Sequence, residues 1–266
     1  MKKADILIFG GQSNMQGQTE LLSETEIVEN AFEYRWLKDS LVPLCNPVGE
    51  NVTFEKTQGL DIDECSDQSS WLSMHALGRS CKGRTNMVPN FCRAYLENND
   101  KTAIAIHTAK GSTEIADWID TKAYEILVEK SRAGIKNAKD NYEVENIFFI
   151  WLQGESDAIL KTGKEKYKER MYKLNNTLKA DIGIDKFCVI RVGRYTENEY
   201  DIAIIEAQDE VCAECDDFLM LTCEATELNK IPRYMNPEIG GHYSAMGQEK
   251  LGKLAGDKLG LFAGNK

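Results

Sequence analysis

The chain has 266 residues, 42% of them hydrophobic and 28% charged, with a formal net charge of −11. A length of this order buries one substantial core as a single α/β domain, and the acidic balance sets up a negative long-range field that repels polyphosphate and anionic membrane surfaces, which excludes nucleic acid and lipid as expected partners. No run reaches the roughly 18 apolar residues a membrane-spanning helix needs, and the cysteines offer a single CxxC, at Cys212 and Cys215, with neither a second pair nor a nearby histidine to complete a zinc site; free thiols and no metal are expected.

In chain order, Ile6-Leu7-Ile8-Phe9 is too short for a signal-peptide core and ends in glycines rather than at a cleavage site. It predicts a first strand and, with no leader, a cytoplasmic protein. From about residue 20 to residue 80 the pattern loses periodicity, holds Pro43 and Pro47, and is rich in Asp, Glu, Ser and Asn; a stretch this long predicts an elaborated loop region beside the site, packed through Trp36 and Trp71 rather than disordered. Apolar segments without strict alternation recur at 102–107, 146–152, 186–192 and 217–222, as strands buried on both faces do. Between them Tyr124, Leu127, Val128, Ser131, Ile135 and Ala138 share one helical face, as do Tyr167, Met171, Leu174 and Leu178. A last helix is expected after His242, through Leu251, Leu254 and Leu259. The alternation predicts a parallel sheet with helices on both faces and places functional loops at the carboxyl ends of the strands.

Two strings fall at such ends, and a third lies in a loop leading into the last helix. Gly10-Gly11-Gln12-Ser13-Asn14-Met15-Gln16-Gly17 sets a serine directly after a strand, where a hydroxyl is held rigidly and backbone N–H groups can face a developing oxyanion. The competing reading, a phosphate loop, requires a spacing and a lysine that this string lacks, and the string does not match G-x-G-x-x-G. Trp151-Leu152-Gln153-Gly154-Glu155-Ser156-Asp157 offers Gln153 as an amide donor, with Glu155 and Asp157 as loop supports or simple helix caps. The loop from Asn236 to Gly247 carries His242; neutral imidazole near pH 7 suits a general base for a hydroxyl nucleophile. Of the other two histidines, His75 lies in the elaborated region and His107 ends a strand, where a satisfied core or supporting role is expected.

Together these strings resemble the SGNH/GDSL hydrolase superfamily, in the carbohydrate acetylesterase branch of family 6 acetylxylan esterases and sialate O-acetylesterase-like domains. Gly11-Gln12-Ser13-Asn14-Met15 is similar to the nucleophile block, Gln153-Gly154-Glu155-Ser156-Asp157 to the central block, and the His242 loop to the last. Residues 109–118 resemble the Gly-Gly-Thr...Trp segment of that branch, with Ser112 in place of the second glycine. The resemblance implies a flavodoxin-like three-layer α/β/α sandwich and ester hydrolysis through a serine acyl-enzyme without metal or organic cofactor. It makes Ser13 the nucleophile and His242 the base, with the Ser13 N–H and Gln153 at the oxyanion and Gln12 and Glu155 as supporting groups. Trp118 is expected to line a sugar site, its ring face stacking on carbohydrate, with a core position as the alternative.

Two departures accompany the resemblance. The family pattern is Asp-x-x-His, but Ile239 stands three residues before His242. Glu238, four before, is the nearest carboxylate and the expected orienter, with Asp157, Glu155 or a backbone carbonyl in a Ser-His dyad as alternatives. The oxyanion glycine should fall near Gly83-Arg84-Thr85-Asn86-Met87, where no glycine aligns; Asn86 is the expected donor. The leading expectation is a deacetylase of plant polysaccharide or its oligosaccharides. A sialate O-acetylesterase or a broader short-chain esterase comes second. A non-catalytic sugar-binding module, suggested by the missing aspartate, comes third; the retained Ser13 and His242 argue against it.

Overall fold

The structure is a computed structural model that describes residues 1–20, 25–50, 85–196 and 198–264. Trp71, His75, Gly83 and Arg84, and most of the region expected as an elaborated loop, lie outside the described residues.

All five apolar segments form strands: β1 (Lys3–Gly11), β4 (Thr102–His107), β5 (Glu143–Leu152), β6 (Lys186–Ile190) and β7 (Phe218–Thr222). Two more strands, β2 (Ala31–Arg35) and β3 (Ser40–Pro43), lie inside the stretch expected to be loop. They extend one edge, giving a sheet of order β3-β2-β4-β1-β5-β6-β7 in which only the β2–β3 pairing is antiparallel. After β1 the chain passes to one side of it, through β2, the edge strand β3 and back to β4, and then to the other side through β5, β6 and β7, so β1 marks the topological switch, and the loops after β1, β4 and β5 open into one crevice.

Side chains alternate across the sheet, as the pleat requires. Ile6, Ile8, Ile104, Ile106, Phe149 and Trp151 face one way. They pack against α3 (Lys122–Asn141), α5 (Lys164–Ile182) and α6 (Glu199–Glu214) through residues such as Leu127, Met171 and Ile204. Leu7, Phe9, Ala105, Phe148 and Ile150 face the other way, against α2 (Val88–Glu97) and α7 (Ala245–Gly264). The three-layer α/β/α arrangement follows, with every residue of the two expected helical faces buried and each large apolar side chain removed from water contributing about 1.5–3 kcal/mol. The two helices on the second face nearly touch backbones: a Cβ on Gly252 or Gly256 would meet the carbonyl oxygens of Met87 and Phe91 at 2.5 and 2.2 Å. Cys212 lies on α6 and Cys215 caps it, and both are free thiols, as are Cys45, Cys92, Cys188 and Cys223. No described helix is long and apolar enough to cross a membrane.

Candidate active site

The first loop is shaped by a close backbone approach. Gly11 sits at φ +135°, and a Cβ there would lie 2.1 Å from the Leu152 carbonyl oxygen, so only glycine lets β1 end flush against β5. The chain then turns at once into a short helix, α1 (Ser13–Gln16), closed by Gly17 in the left-handed region. Ser13 is its first residue and is buried; N–H groups in a helix's first turn have no partner within the helix and remain available to a ligand. Gln12, one residue earlier, accepts through Oε1 from Gln153 Nε2 at 3.1 Å, Gly154 N at 3.4 Å and Ser156 N at 3.1 Å. It thereby caps α4 (Glu155–Ile159), and the three donors on its oxygen fix which way its amide points. The Nε2 of Gln12 has no hydrogen-bond partner among the described residues.

The central block is a support. Gln153, expected as an oxyanion donor, is fully buried, and its Nε2 donates to Asp157 Oδ2 at 2.7 Å, Thr113 O at 3.0 Å and Gln12 Oε1, while its own Oε1 accepts from Tyr167 at 2.8 Å. An amide so engaged has no N–H left for a substrate oxygen. Asp157 also accepts from the Ile115 N–H at 2.8 Å, tying in the 3₁₀ turn Ile115–Trp118, and burial pushes its carboxyl above the ordinary range. Glu155 is buried too; Asn14 Nδ2 donates to its Oε1 at 2.7 Å, while its Oε2 is buried with no side-chain or main-chain partner from another described residue. Burial raises this carboxyl as well.

His242 sits in a loop pinned by its own backbone: its carbonyl accepts from the Asn236 N–H at 2.7 Å, and Met235 bridges to Tyr243. Its Nδ1 lies 2.8 Å from the Gly240 carbonyl oxygen. A carbonyl only accepts, so the proton resides on Nδ1 and Nε2 carries the lone pair. That Nε2 is buried and has no hydrogen-bond partner among the described residues. Burial lowers the imidazole's pKa, which keeps the ring neutral. Glu238 does not orient this ring. It is exposed, and the bond it makes is from its backbone N–H to Asn236 Oδ1 at 2.9 Å; the nitrogen a carboxylate would hold is already bonded to Gly240. Of the alternatives open in the sequence, the backbone carbonyl is the one realised.

The Ser13 loop and the histidine loop meet through Asn14. Its Nδ2 points to Gly241 O at 3.3 Å and its Oδ1 accepts from the Tyr243 N–H at 3.1 Å, so it holds the peptide groups on both sides of His242. On the other side of the loop, Gly241 sits at φ +73°, and a Cβ would run into the Tyr195 ring. That ring stands edge-on to the imidazole, with centroids 6.4 Å apart.

Two further expectations are corrected. Asn86 is buried with its Oδ1 accepting from the Val88 N–H at 3.1 Å and its Nδ2 directed to Gln16 O at 3.5 Å; it secures the entry to α2 and the end of α1 rather than serving as an oxyanion donor. Trp118 is a core residue, 1% exposed, donating to Thr113 Oγ1 at 3.0 Å and packed edge-on against Trp151, so its face is not available to a sugar. His107 takes the supporting place expected of it, 3.3 Å from Met15 O. Sequence reasoning did not single out Asn14, Gly240, Arg194 or Tyr195. Asn14 stood in the motif itself, whereas a backbone carbonyl leaves no mark in a sequence. Beside the histidine loop opens a cavity of about 530 Å³ lined by Arg194, Tyr195, Asn229, Lys230, Met235 and Gly241.

A family model described as "Carbohydrate esterase, sialic acid-specific acetylesterase" matches residues 3–259. Among solved structures, NanS superposes with a TM-score of 0.65 at 11% identity, over 98% of each chain. A protein from Arabidopsis thaliana does so with a TM-score of 0.61 at 17% identity, over 96% of this chain and 97% of that one; at these identities the likeness is one of fold. No curated protein sequence matches the chain.

Proposed function

The chain belongs to the carbohydrate esterase family of sialic acid-specific acetylesterases, and from that membership we propose that it hydrolyses acetyl esters of sugars through a Ser13 acyl-enzyme with His242 as its base. The observation that carries the mechanism is the state of His242: a neutral ring whose Nδ1–H is held by Gly240 and whose buried Nε2 has no hydrogen-bond partner among the described residues. Such a nitrogen takes the Ser13 proton as Oγ attacks the acetyl carbonyl, and the Gly240 carbonyl supports the imidazolium that forms. The Ser13 N–H and the unengaged Gln12 Nε2 are the donors for the oxyanion, each worth about 10²–10³ in rate in comparable sites. The imidazolium then returns the proton to the departing sugar alkoxide, and water, activated by the same nitrogen, releases acetate.

Acetylated xylo-oligosaccharides are the substrate we propose, with the sugar in the cavity beside Gly241. A second reading, an acetylated sugar that carries a carboxylate, is favoured by Arg194: it faces that cavity and makes no hydrogen bond or ion pair among the described residues, whereas Lys230 is paired with Glu227 at 2.7 Å. Acetate release from acetylated xylo-oligosaccharides, O-acetylated sialic acid and an aryl acetate, each with wild type and Ser13→Ala, tests both. Xylan-derived turnover that Ser13→Ala abolishes supports the first reading, and turnover of the sialate alone supports the second. Inertness toward all three would leave a sugar-binding module.

A further inference from the structure

We infer that Asn14 is the positioning residue for His242 and that the buried carboxylate of Glu155 fixes the orientation of the Asn14 amide; the inference rests on the assignment of Ser13 and His242 as nucleophile and base. An asparagine amide can be flipped end for end with little change of shape, and its surroundings decide which end carries the donors. Here Nδ2 reaches Glu155 Oε1 at 2.7 Å and Gly241 O at 3.3 Å, and Oδ1 receives the Tyr243 N–H at 3.1 Å. The flipped amide would set an oxygen against a carboxylate and against a carbonyl, and an N–H against an N–H. Glu155 therefore selects the one orientation that holds both peptide groups flanking His242.

The arrangement takes over a task left open by Ile239. A side-chain carboxylate would fix the ring directly, but here the ring is fixed to Gly240 in its own loop, so the position of the imidazole relative to Ser13 is only as good as the position of that loop. Asn14 is bonded in sequence to Ser13 and in space to the loop, which makes the distance between nucleophile and base a local property of one side chain. The carbonyl of Asn14 is itself anchored by Gln248 Nε2 at 2.9 Å, from the helix that follows the loop. Among the described residues Asn14 is the one side chain that hydrogen-bonds Glu155. The second carboxylate oxygen, buried with no partner from another described residue, is an unfavourable feature of the kind retained where a group has a job beyond stability.

A misplacement of about 1 Å in a reacting pair lowers rate on the order of 10²-fold. Asn14→Ala and Asn14→Asp should lower kcat on an aryl acetate by about that factor while KM stays within threefold. Because burial is what lowers the His242 pKa, a loosened and hydrated loop should also move the acid limb of the kcat/KM profile to higher pH, a change that mere loss of folded protein does not produce. Glu155→Gln keeps the shape, removes the charge that selects the amide orientation, and should show the same limb shift with a smaller loss of kcat. Folded Asn14→Ala enzyme with near-wild-type kcat and an unmoved limb would overturn the inference. Should the Asn14 variants fail to fold by circular dichroism, Glu155→Gln decides: an unmoved limb there overturns it equally. Ser13→Ala with undiminished turnover would instead overturn the underlying assignment of the nucleophile.

Discussion

The Gly240 carbonyl oxygen lies 2.8 Å from His242 Nδ1, within the same short loop. A tautomer held by a neutral carbonyl needs no carboxylate nearby, and Glu238, exposed four residues before the histidine, has no bond to the ring. Glu238→Ala should therefore retain kcat/KM on an aryl acetate to within about twofold, the effect ordinary for a surface substitution. A loss of a hundredfold or more would mean that Glu238 swings in when substrate binds.

Burial lowers the His242 pKa, and the sign of the consequence is fixed. As the proposed base, His242 works when neutral, so activity is full above its pKa and is lost as pH falls through it; a lowered pKa extends activity to more acidic solution. The acid limb of kcat/KM should have its midpoint below the ordinary value of about 6.5. Rates on an aryl acetate between pH 4 and pH 8 would show it, and a midpoint near 7 would contradict a buried neutral ring.

What was legible in the sequence was what depends on burial pattern and on position at strand ends. The five core strands are apolar on both faces, so their runs stand out. The strands β2 and β3 that extend the sheet at one side do not: β2 carries Glu33 and Arg35, which pair with each other at 2.7 Å, and the buried Glu33 also accepts the Gly49 N–H. At the candidate site, the strings around Ser13 and Gln153 stood out because strand-to-helix junctions collect polar residues, and the His242 loop stood out as the lead into the last helix. Their division of labour was not: Gln153 has the chemistry of a donor, but its hydrogens are consumed by Thr113, Asp157 and Gln12, which only the folded chain reveals.

Trp118 makes the same point in a form that can be measured. Its ring is enclosed, with Trp151 at a centroid distance of 5.7 Å and an interplanar angle of 87°. Trp118→Ala should lower unfolding free energy by about 3–5 kcal/mol in urea titrations. The gentler Trp118→Phe should leave KM for an acetylated oligosaccharide unchanged to within about twofold. A raised KM with unaltered stability would restore the residue to the sugar site.

His107 supplies a pH dependence of the opposite character, acting on stability rather than on rate. At the end of β4 it is 4% exposed, and burial foremost, with the Lys130 cation adding to it, lowers its pKa to about 3. The unfolded chain binds a proton there near the ordinary value of about 6.5, whereas the folded chain refuses it until far lower pH, so stability is present above that value and is lost as pH falls below it. Between pH 7 and pH 5 this residue alone removes about 2 kcal/mol. The buried carboxyls of Glu155, Asp157 and Glu33 work in the other direction, since each is raised by burial and penalises the folded state as pH rises. The net curve of the wild type therefore mixes both signs, and the contribution of His107 emerges only as a difference. Urea unfolding of wild type and His107→Gln at the two pH values isolates it: the variant should lose about 2 kcal/mol less on acidification, while equal losses in both proteins would mean that His107 takes up its proton inside the fold.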